Sequence, residues 1–292
     1  MRKTEILAPA KINLFLEVFP RPAGADLHRV DTVIEKVTLF DRISLQASPS
    51  GIELRSNVTA LDTPANLVLK AAALLKDTYG VKEGVKIRLE KKIPVAAGLG
   101  GGSSDAAAVL LALNRLWKID EPVSRLVPLA LKLGSDVPAF LAPGRCRVSG
   151  FGEKVKPLPD GKRINYRLVL TGINIHTGPA YRWLDDLTYT PHSSKMMIAA
   201  LRKGGAGDVA AALFNRFQEV LCEKNKQIKR WREKLEKDFD TGLLSGSGGS
   251  FFVLLTKKAA AKDLQKYDPG KFLAVTTFRR HHGDYGNQSI AG

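Results

Sequence analysis

Cysteine is nearly missing from this chain: Cys146 and Cys222 are the two among 292 residues. They stand far apart, with no Cys-x-x-Cys pair and no Cys/His ligand spacing, which argues against a disulfide-stapled scaffold and against a zinc site. Reduced core residues are the reading left. Long hydrophobic runs are missing as well. No stretch of about 18 apolar residues is available to span a membrane, and Met1-Arg2-Lys3-Thr4-Glu5 lacks the apolar segment of a secretory leader. A soluble, cytoplasmic protein without a membrane partner is therefore expected. Acid is in short supply: 29 acidic against 45 basic residues leave a net charge of +16. Such an excess suits nucleic acid, nucleotide phosphates or an anionic surface without choosing among them. The densest basic stretch, residues 223–240, interleaves its lysines and arginines with Glu223, Glu233, Glu236, Asp238 and Asp240, so it reads as a solvated helix face laced with i,i+4 pairs. With no zinc-finger spacing and no RNP-type aromatic motif, no nucleic-acid partner is expected.

What is present suffices for a sizeable core, since 44% of the side chains are hydrophobic and the length suits two lobes. Residues 6–19 and 33–45 are apolar with weak alternation and predict strands of a largely buried sheet. Leu67, Lys70, Ala71, Leu74 and Leu75 recur at helical spacing after Pro64, and residues 85–89 alternate as a strand that Ile93-Pro94 closes. Glycine, proline and lysine become denser between Arg147 and Asn165, which places a lobe boundary there, dividing the chain into 1–155 and 156–292. Beyond it, 167–170 and 249–256 read as strands and 210–221 as a helix. The final residues, 279–292, lose apolar periodicity and read as a loosely held tail.

The most informative segment is Pro94-Val95-Ala96-Ala97-Gly98-Leu99-Gly100-Gly101-Gly102-Ser103-Ser104-Asp105. Its glycines permit positive φ and leave backbone N–H groups uncovered, so that they can converge on an anion. The helix that follows carries Ala106, Val109, Leu110, Leu113 and Leu116 on one face and is expected to be capped by Ser103 or Ser104. Its N-terminus adds unpaired N–H groups and a positive dipole end. Such an element cradles phosphate, and a hydroxyl at the helix start can reach phosphate-bound magnesium. A flexible hinge is the plain alternative, but it leaves the paired serines unexplained. No lysine follows the glycines, so this is not a Walker-type loop, and Gly98-x-Gly100 runs into Ser103, which breaks the dinucleotide pattern.

Two charges stand in apolar surroundings. Asp136 lies between Gly134-Ser135 and Val137-Pro138, and Lys11 is embedded in the first strand. A buried charge needs a partner, and a Lys11–Asp136 pair would supply one. Taken on the residues alone, a structural ion pair or a turn aspartate is the more economical reading.

The glycine segment resembles the second motif of the galactokinase, homoserine kinase, mevalonate kinase and phosphomevalonate kinase superfamily, and most closely that of the branch whose acceptor carries a cytidine diphosphate group. Pro9-Ala10-Lys11-Ile12-Asn13-Leu14 resembles the first motif, Ser245-Gly246-Ser247-Gly248-Gly249 the third, and Asn66-Leu67 before a Lys-Ala-Ala helix also matches. The Gly134-Ser135-Asp136-Val137-Pro138 segment is similar to the one that supplies the catalytic aspartate. These matches run from Ala8 to about Leu255.

The resemblance implies a two-lobed α+β kinase that uses ATP and Mg2+. It assigns the nucleotide to Asn66, Pro94, Gly98, Leu99, Gly100, Gly101, Gly102, Ser103 and Ser104, with Ser104 also placing the metal. Catalysis falls to Lys11 and Asp136. The acceptor falls to Asn13, His28, Tyr181, Ser247 and Gly248, with His28 and Tyr181 at the base, although a lone histidine is usually structural or exposed and Tyr181 would pass as a core tyrosine. The implied acceptor is 4-diphosphocytidyl-2-C-methyl-erythritol, phosphorylated on its 2-hydroxyl by a monomer or homodimer. Three departures fall on the acceptor side: Asp26 and Leu27 stand where glycine and tyrosine are usual before the histidine, and Asn215-Arg216-Phe217-Gln218 replaces Asn-Asp-Leu-Glu. They leave the ATP side untouched and keep open a kinase for a smaller hydroxyl acceptor of homoserine or mevalonate type. The +16 charge keeps open a non-catalytic nucleotide or nucleic-acid binding protein, against which the presence of both Lys11 and Asp136 speaks.

Overall fold

The computed structural model describes residues 2–22, 24–159, 161–175, 177–185, 189–239, 241–256 and 271–278; the tail expected over 279–292 lies outside them. Two long strands, β1 (Lys3–Val18) and β2 (Val30–Ser48), pair antiparallel and form the spine. Beside β2 lies β4 (Gly84–Glu90), whose parallel neighbour is β3 (Ile52–Ser56). The other stretch of β2 pairs with β5 (Cys146–Gly150), which turns back into β6 (Lys154–Pro157).

Against this sheet pack α1 (Leu67–Tyr79), α2 (Gly101–Leu116), α3 (Val123–Leu133) and α4 (Val137–Leu141). The second of these is apolar all round from Ala106 to Leu113, and that stretch is buried throughout, as expected of a helix enclosed by neighbours. Its alanines at 106, 107, 108 and 112 keep it slim enough for α1 and β1 to close on it. A helix fixed this firmly gives the preceding glycine loop a rigid base.

The second sheet is antiparallel, in the order β11 (Phe272–Thr276), β7 (Asn165–Leu170), β10 (Ser250–Leu254) and β9 (Leu243–Leu244). Both of its faces are covered. Phe251 and Val253 pack toward α8 (Arg216–Lys224) and α9 (Lys226–Phe239), while Phe252 and Leu254 join Ala10, Ile12 and Leu14 of β1 together with residues of α6 (Lys195–Lys203) and α7 (Ala206–Ala211). That period-2 division is what a doubly buried strand shows. The sheets are also stitched by hydrogen bonds: Thr276 N donates to Thr38 Oγ1 at 3.0 Å and Phe278 N to Lys36 O at 2.7 Å. The change of sheet falls between β6 and β7, and β8 (Phe214–Asn215) returns to pair with the edge of β1 at Phe15 and Leu16.

Two expectations need correction. The helix read over 210–221 is broken: α7 stops at Ala211, β8 follows, and Asn215 caps α8 by accepting from Phe217 N at 2.9 Å. Apolar spacing cannot register this break, because the two-residue strand is as buried as a helix face. Cys146 is a free, buried core residue, whereas Cys222 is free but only half-buried. On the charged run, α9 carries the expected i,i+4 pairs Arg232–Glu236 and Lys234–Asp238. Among the described residues no helix is long and apolar enough to cross a membrane.

Candidate active site

The β1–β2 register slips between Asn13 and Phe15, leaving Leu14 as an extra residue on β1. A bulge of this kind exchanges the two faces of the strand beyond it. Lys11 and Asn13 therefore share a face with Leu16 rather than Phe15, and all three line one cavity of about 560 Å³. Across β2, Val30 and Thr32 line the same cavity.

At one end of the cavity a polar relay runs through the core. Lys11 Nζ donates to Asn13 Oδ1 at 2.6 Å, Asn13 Nδ2 donates to Thr32 Oγ1 at 2.9 Å, and Thr32 donates to the carbonyl of Phe15 at 2.6 Å. Each group is thereby satisfied without water. Lys11 Nζ also lies 3.7 Å from Asp136 Oδ2, with the lysine side chain 4% and the aspartate side chain 46% exposed. Burial pulls the Lys11 ammonium below its usual range, and Asp136 opposes that shift. The expected pair thus exists, with the buried partner on a strand and the open partner at the start of α4, facing the cavity.

The two glycine loops meet beside it. Ser245 Oγ donates to the carbonyls of Gly98, at 3.0 Å, and Lys11, at 3.5 Å, and Lys11 N donates to Leu99 O at 2.9 Å. The side chain of Leu99 is buried in the core, so its polar contribution to the loop is through its backbone. Gly98 (φ +77°) has no room for a Cβ, which would lie 2.9 Å from Gly248 Cα and collide with Ser245 O. The first, second and third motifs are therefore one contiguous element. Asn215 and Gln218, placed on the acceptor side by sequence, instead hold the third loop from behind. Asn215 Nδ2 donates to Leu244 O at 2.7 Å and to Gly246 O at 2.9 Å, while Gln218 Oε1 accepts from Leu244 N at 2.8 Å. Arg216 turns away to a buried pairing with Glu17 at 2.8 Å. Of the four, Phe217 alone lines the cavity.

On the α2 side, Gly100 in the left-handed region (φ +70°) is the N-cap, and Ser103 and Ser104 sit inside the first turn rather than capping it. Glycine takes that conformation without strain, which frees the serines from capping. Ser104 Oγ is buried without a hydrogen-bond partner. The loop's approach is fixed by Lys91, whose Nζ reaches Asp105 at 2.7 Å and also Asp41, all three groups being nearly inaccessible. Burial pushes the Asp105 carboxyl up to about 7, with Lys91 opposing and Asp41 adding to the shift. A Cβ on Gly101 would lie 3.0 Å from Ile93 and 3.1 Å from Lys91 Nζ. Gly101 therefore faces packed protein, whereas Gly102 has only Leu67 nearby, at 3.8 Å. That contact also brings the start of α1 against the loop, where Asn66 caps the helix by accepting from Val68 N at 2.9 Å. Pro94 sits half-buried in the turn ahead of the glycines.

The opposite end of the cavity is aromatic. The ring of His28 lies 5.2 Å from that of Tyr181 on α5 (Thr177–Asp185), which in turn meets Phe217 edge-on at 4.9 Å. The His28 side chain is 7% exposed, and its Nδ1 lies 3.0 Å from the carbonyl of Phe19. A carbonyl only accepts, so Nδ1 carries the proton. Nε2 faces Asp185 at 3.5 Å. Burial, and then Asp136, push the Tyr181 hydroxyl up to about 12. Leu27 stands 60% exposed at the rim. Ser247 lines the cavity and its Oγ meets Thr177 Oγ1 at 3.0 Å, whereas Gly248 is buried against Gly98 and does not line it. Sequence reasoning missed Thr32, Thr177, Arg182 and Asp185, all of them cavity-lining. Nothing in these four residues marks them out in one dimension.

Comparison with known proteins bears on this geometry. The family of GHMP kinases N terminal domains matches residues 66–144, and that of GHMP kinases C terminal domains matches residues 197–268. The 4-diphosphocytidyl-2-C-methyl-D-erythritol kinase of Symbiobacterium thermophilum is 39% identical over 272 residues, covering 91% of this chain and 95% of that protein. Its counterpart in Pelotomaculum thermopropionicum is 38% identical over 265 residues, covering 88% and 91%. A crystal structure of 4-(cytidine 5'-diphospho)-2C-methyl-D-erythritol kinase superposes with a TM-score of 0.77 at 32% identity, covering 94% of this chain and 98% of its own. Homoserine kinase from Cytophaga hutchinsonii shares the fold, with a TM-score of 0.72 at 20% identity.

Proposed function

The chain belongs to the 4-diphosphocytidyl-2-C-methyl-D-erythritol kinase family of GHMP kinases, and from that membership we propose that it transfers the γ-phosphoryl group of ATP to the 2-hydroxyl of 4-diphosphocytidyl-2-C-methyl-D-erythritol in non-mevalonate isoprenoid precursor synthesis. The observation that carries this reading is the continuity of one cavity from the Lys11–Asp136 pair to the His28–Tyr181 wall. A hydroxyl acceptor tethered to an aromatic base fits such a span. ATP consumption with this acceptor, homoserine and mevalonate in parallel tests it; turnover of a small acceptor alone would overturn it.

In the proposed reaction the loop over residues 98–104 receives the ATP phosphates through backbone N–H groups and the start of α2. Asp136 accepts the proton of the attacking hydroxyl, and Lys11 stabilises the charge that develops on the transferring group. Asn13 holds Lys11 in place, and Asn66 and Pro94 border the nucleotide. Among the described residues there is no cluster of three metal-ligating side chains, so magnesium would be held mainly by phosphate oxygens, with the unpartnered Ser104 Oγ as a fitting protein ligand. When bound, the ion would neutralise phosphate charge. In the same proposal residues 1–155 carry the nucleotide side, residues 156–292 complete the acceptor side, and the enzyme works in the cytoplasm as a monomer or homodimer.

Recognition of the base rests on His28 and Tyr181. Removing a stacked ring costs about 1–3 kcal/mol, so Tyr181→Ala and His28→Ala are each expected to raise the acceptor KM about tenfold or more without moving the KM for ATP. Leu27 supplies apolar contact without a π face, and Leu27→Tyr should lower the acceptor KM. Steady-state kinetics with each substrate varied in turn checks all three; unchanged acceptor kinetics throughout would remove the base from this wall.

A further inference from the structure

The acceptor wall formed by α5 has three stations. At its first residue, Thr177 Oγ1 meets Ser247 Oγ of the third-motif loop at 3.0 Å. One turn on, Tyr181 meets His28. At its last residue, Asp185 faces His28 Nε2 at 3.5 Å and Arg21 at 3.6 Å. Arg182 leaves the helix beside Tyr181, but its guanidinium folds back toward the first turn, with Nη1 3.8 Å from where Gly178 would carry a Cβ. Its charge therefore lies over the stretch between the loop end and the aromatic end, and Arg182 lines the cavity there.

An exposed arginine is ordinarily just solvated, so its surroundings decide the matter. The acid one turn along the same helix, Asp185, is already shared by Arg21 and His28. Among the described residues no hydrogen bond, ion pair or ring contact engages Arg182. An acceptor with its base against His28 and Tyr181 and its hydroxyl at Asp136 must lay its linker across this gap. In a cytidine diphosphate compound that linker is the anionic diphosphate.

We propose that Arg182 holds the diphosphate of the acceptor and is a specificity-determining residue for diphosphate-linked acceptors. The inference rests on the cytidine reading above and adds the recognition of the linker. A planar guanidinium can meet two phosphate oxygens at once, which an ammonium cannot. The affinity it provides should accordingly depend on the linker rather than on the base.

Competition against the acceptor at saturating ATP, with cytidine and with CDP as probes, separates the two. In the native enzyme CDP should compete at least about tenfold better than cytidine. Arg182→Gln should reduce that advantage about tenfold and leave cytidine unchanged, and Arg182→Lys should recover part of it, because the charge returns without the fork. The KM for ATP should stay put while that for the acceptor rises. If Arg182→Gln weakens cytidine and CDP equally, or weakens neither, the clamp is overturned and the base pocket stands. If neither probe competes with the native enzyme, the cytidine reading falls and the clamp falls with it.

Discussion

Asp136→Asn is expected to lower kcat by about two orders of magnitude or more, within the range for loss of a general base, and to leave ATP affinity nearly intact. The substitution keeps the shape of the side chain and removes only its capacity to take a proton. Structure gives little reason for a large stability loss, because the Asp136 side chain is 46% exposed and contributes no side-chain cap to α4. Only one partner of the pair is solvated, and losing it leaves the buried Lys11 without its counter-charge, so a small fall in melting temperature is expected. Lys11 keeps its hydrogen bond to Asn13 at 2.6 Å but loses the group that opposes the burial shift of its ammonium, which moves further down. The signature is therefore a large fall in kcat with only a small fall in Tm and an unmoved ATP KM, read by steady-state kinetics and calorimetry together. Near-normal turnover would return the Lys11–Asp136 pair to a purely structural role, the reading that the isolated residues favoured.

That contrast shows what one dimension can carry. A lysine inside an apolar strand and an aspartate in an apolar turn announce a need for partners, and the 3.7 Å pair meets it. The glycine loops were legible because glycine at those positions has a steric reason, although the reason was misplaced at Gly101, which faces Ile93 and Lys91 rather than open space. Other parts of the site were hidden. The extra residue at Leu14 is an ordinary leucine, and only pairing with β2 reveals that it turns Leu16 toward the cavity. Thr32 is one threonine among several until Asn13 is seen donating to it at 2.9 Å. Asn215 and Gln218 were assigned to the acceptor by position, whereas their side chains hold the carbonyls and amide of the third loop. Contacts between distant strands and loops have no local spelling, so the chemistry was readable where a residue type conflicts with its neighbours and unreadable where it agrees with them.

The same two loops supply the other large effect: Gly248→Ala should lose about a hundredfold or more in kcat/KM for both substrates. A Cβ at this position would lie 2.5 Å from Gly98 Cα and 2.7 Å from the carbonyl carbon of Ala97. These are backbone atoms and cannot rotate aside, so the loops must part by about 1 Å, a displacement that can cost about a hundredfold when it misplaces reacting groups. Gly98 borders the proposed phosphate cradle and Ser247 touches Thr177 on the proposed acceptor wall, so on that reading neither substrate escapes the shift. Overpacking of this kind typically costs about 1–3 kcal/mol of stability, and the immobility of the neighbours puts the expectation at the upper end. Gly172→Ala is the informative control. Gly172 has φ +73° and nothing within 4 Å of its Cβ position, so alanine there meets backbone strain of about 1–2 kcal/mol and no collision. It should lower Tm modestly and leave kcat/KM nearly unchanged. Gly248 carries no positive φ, so its loss would be steric alone. Equal kinetic losses in the two variants would mean that general destabilisation, and not the meeting of the loops, governs phosphoryl transfer; native kinetics in Gly248→Ala would show that the loops do not need their close contact.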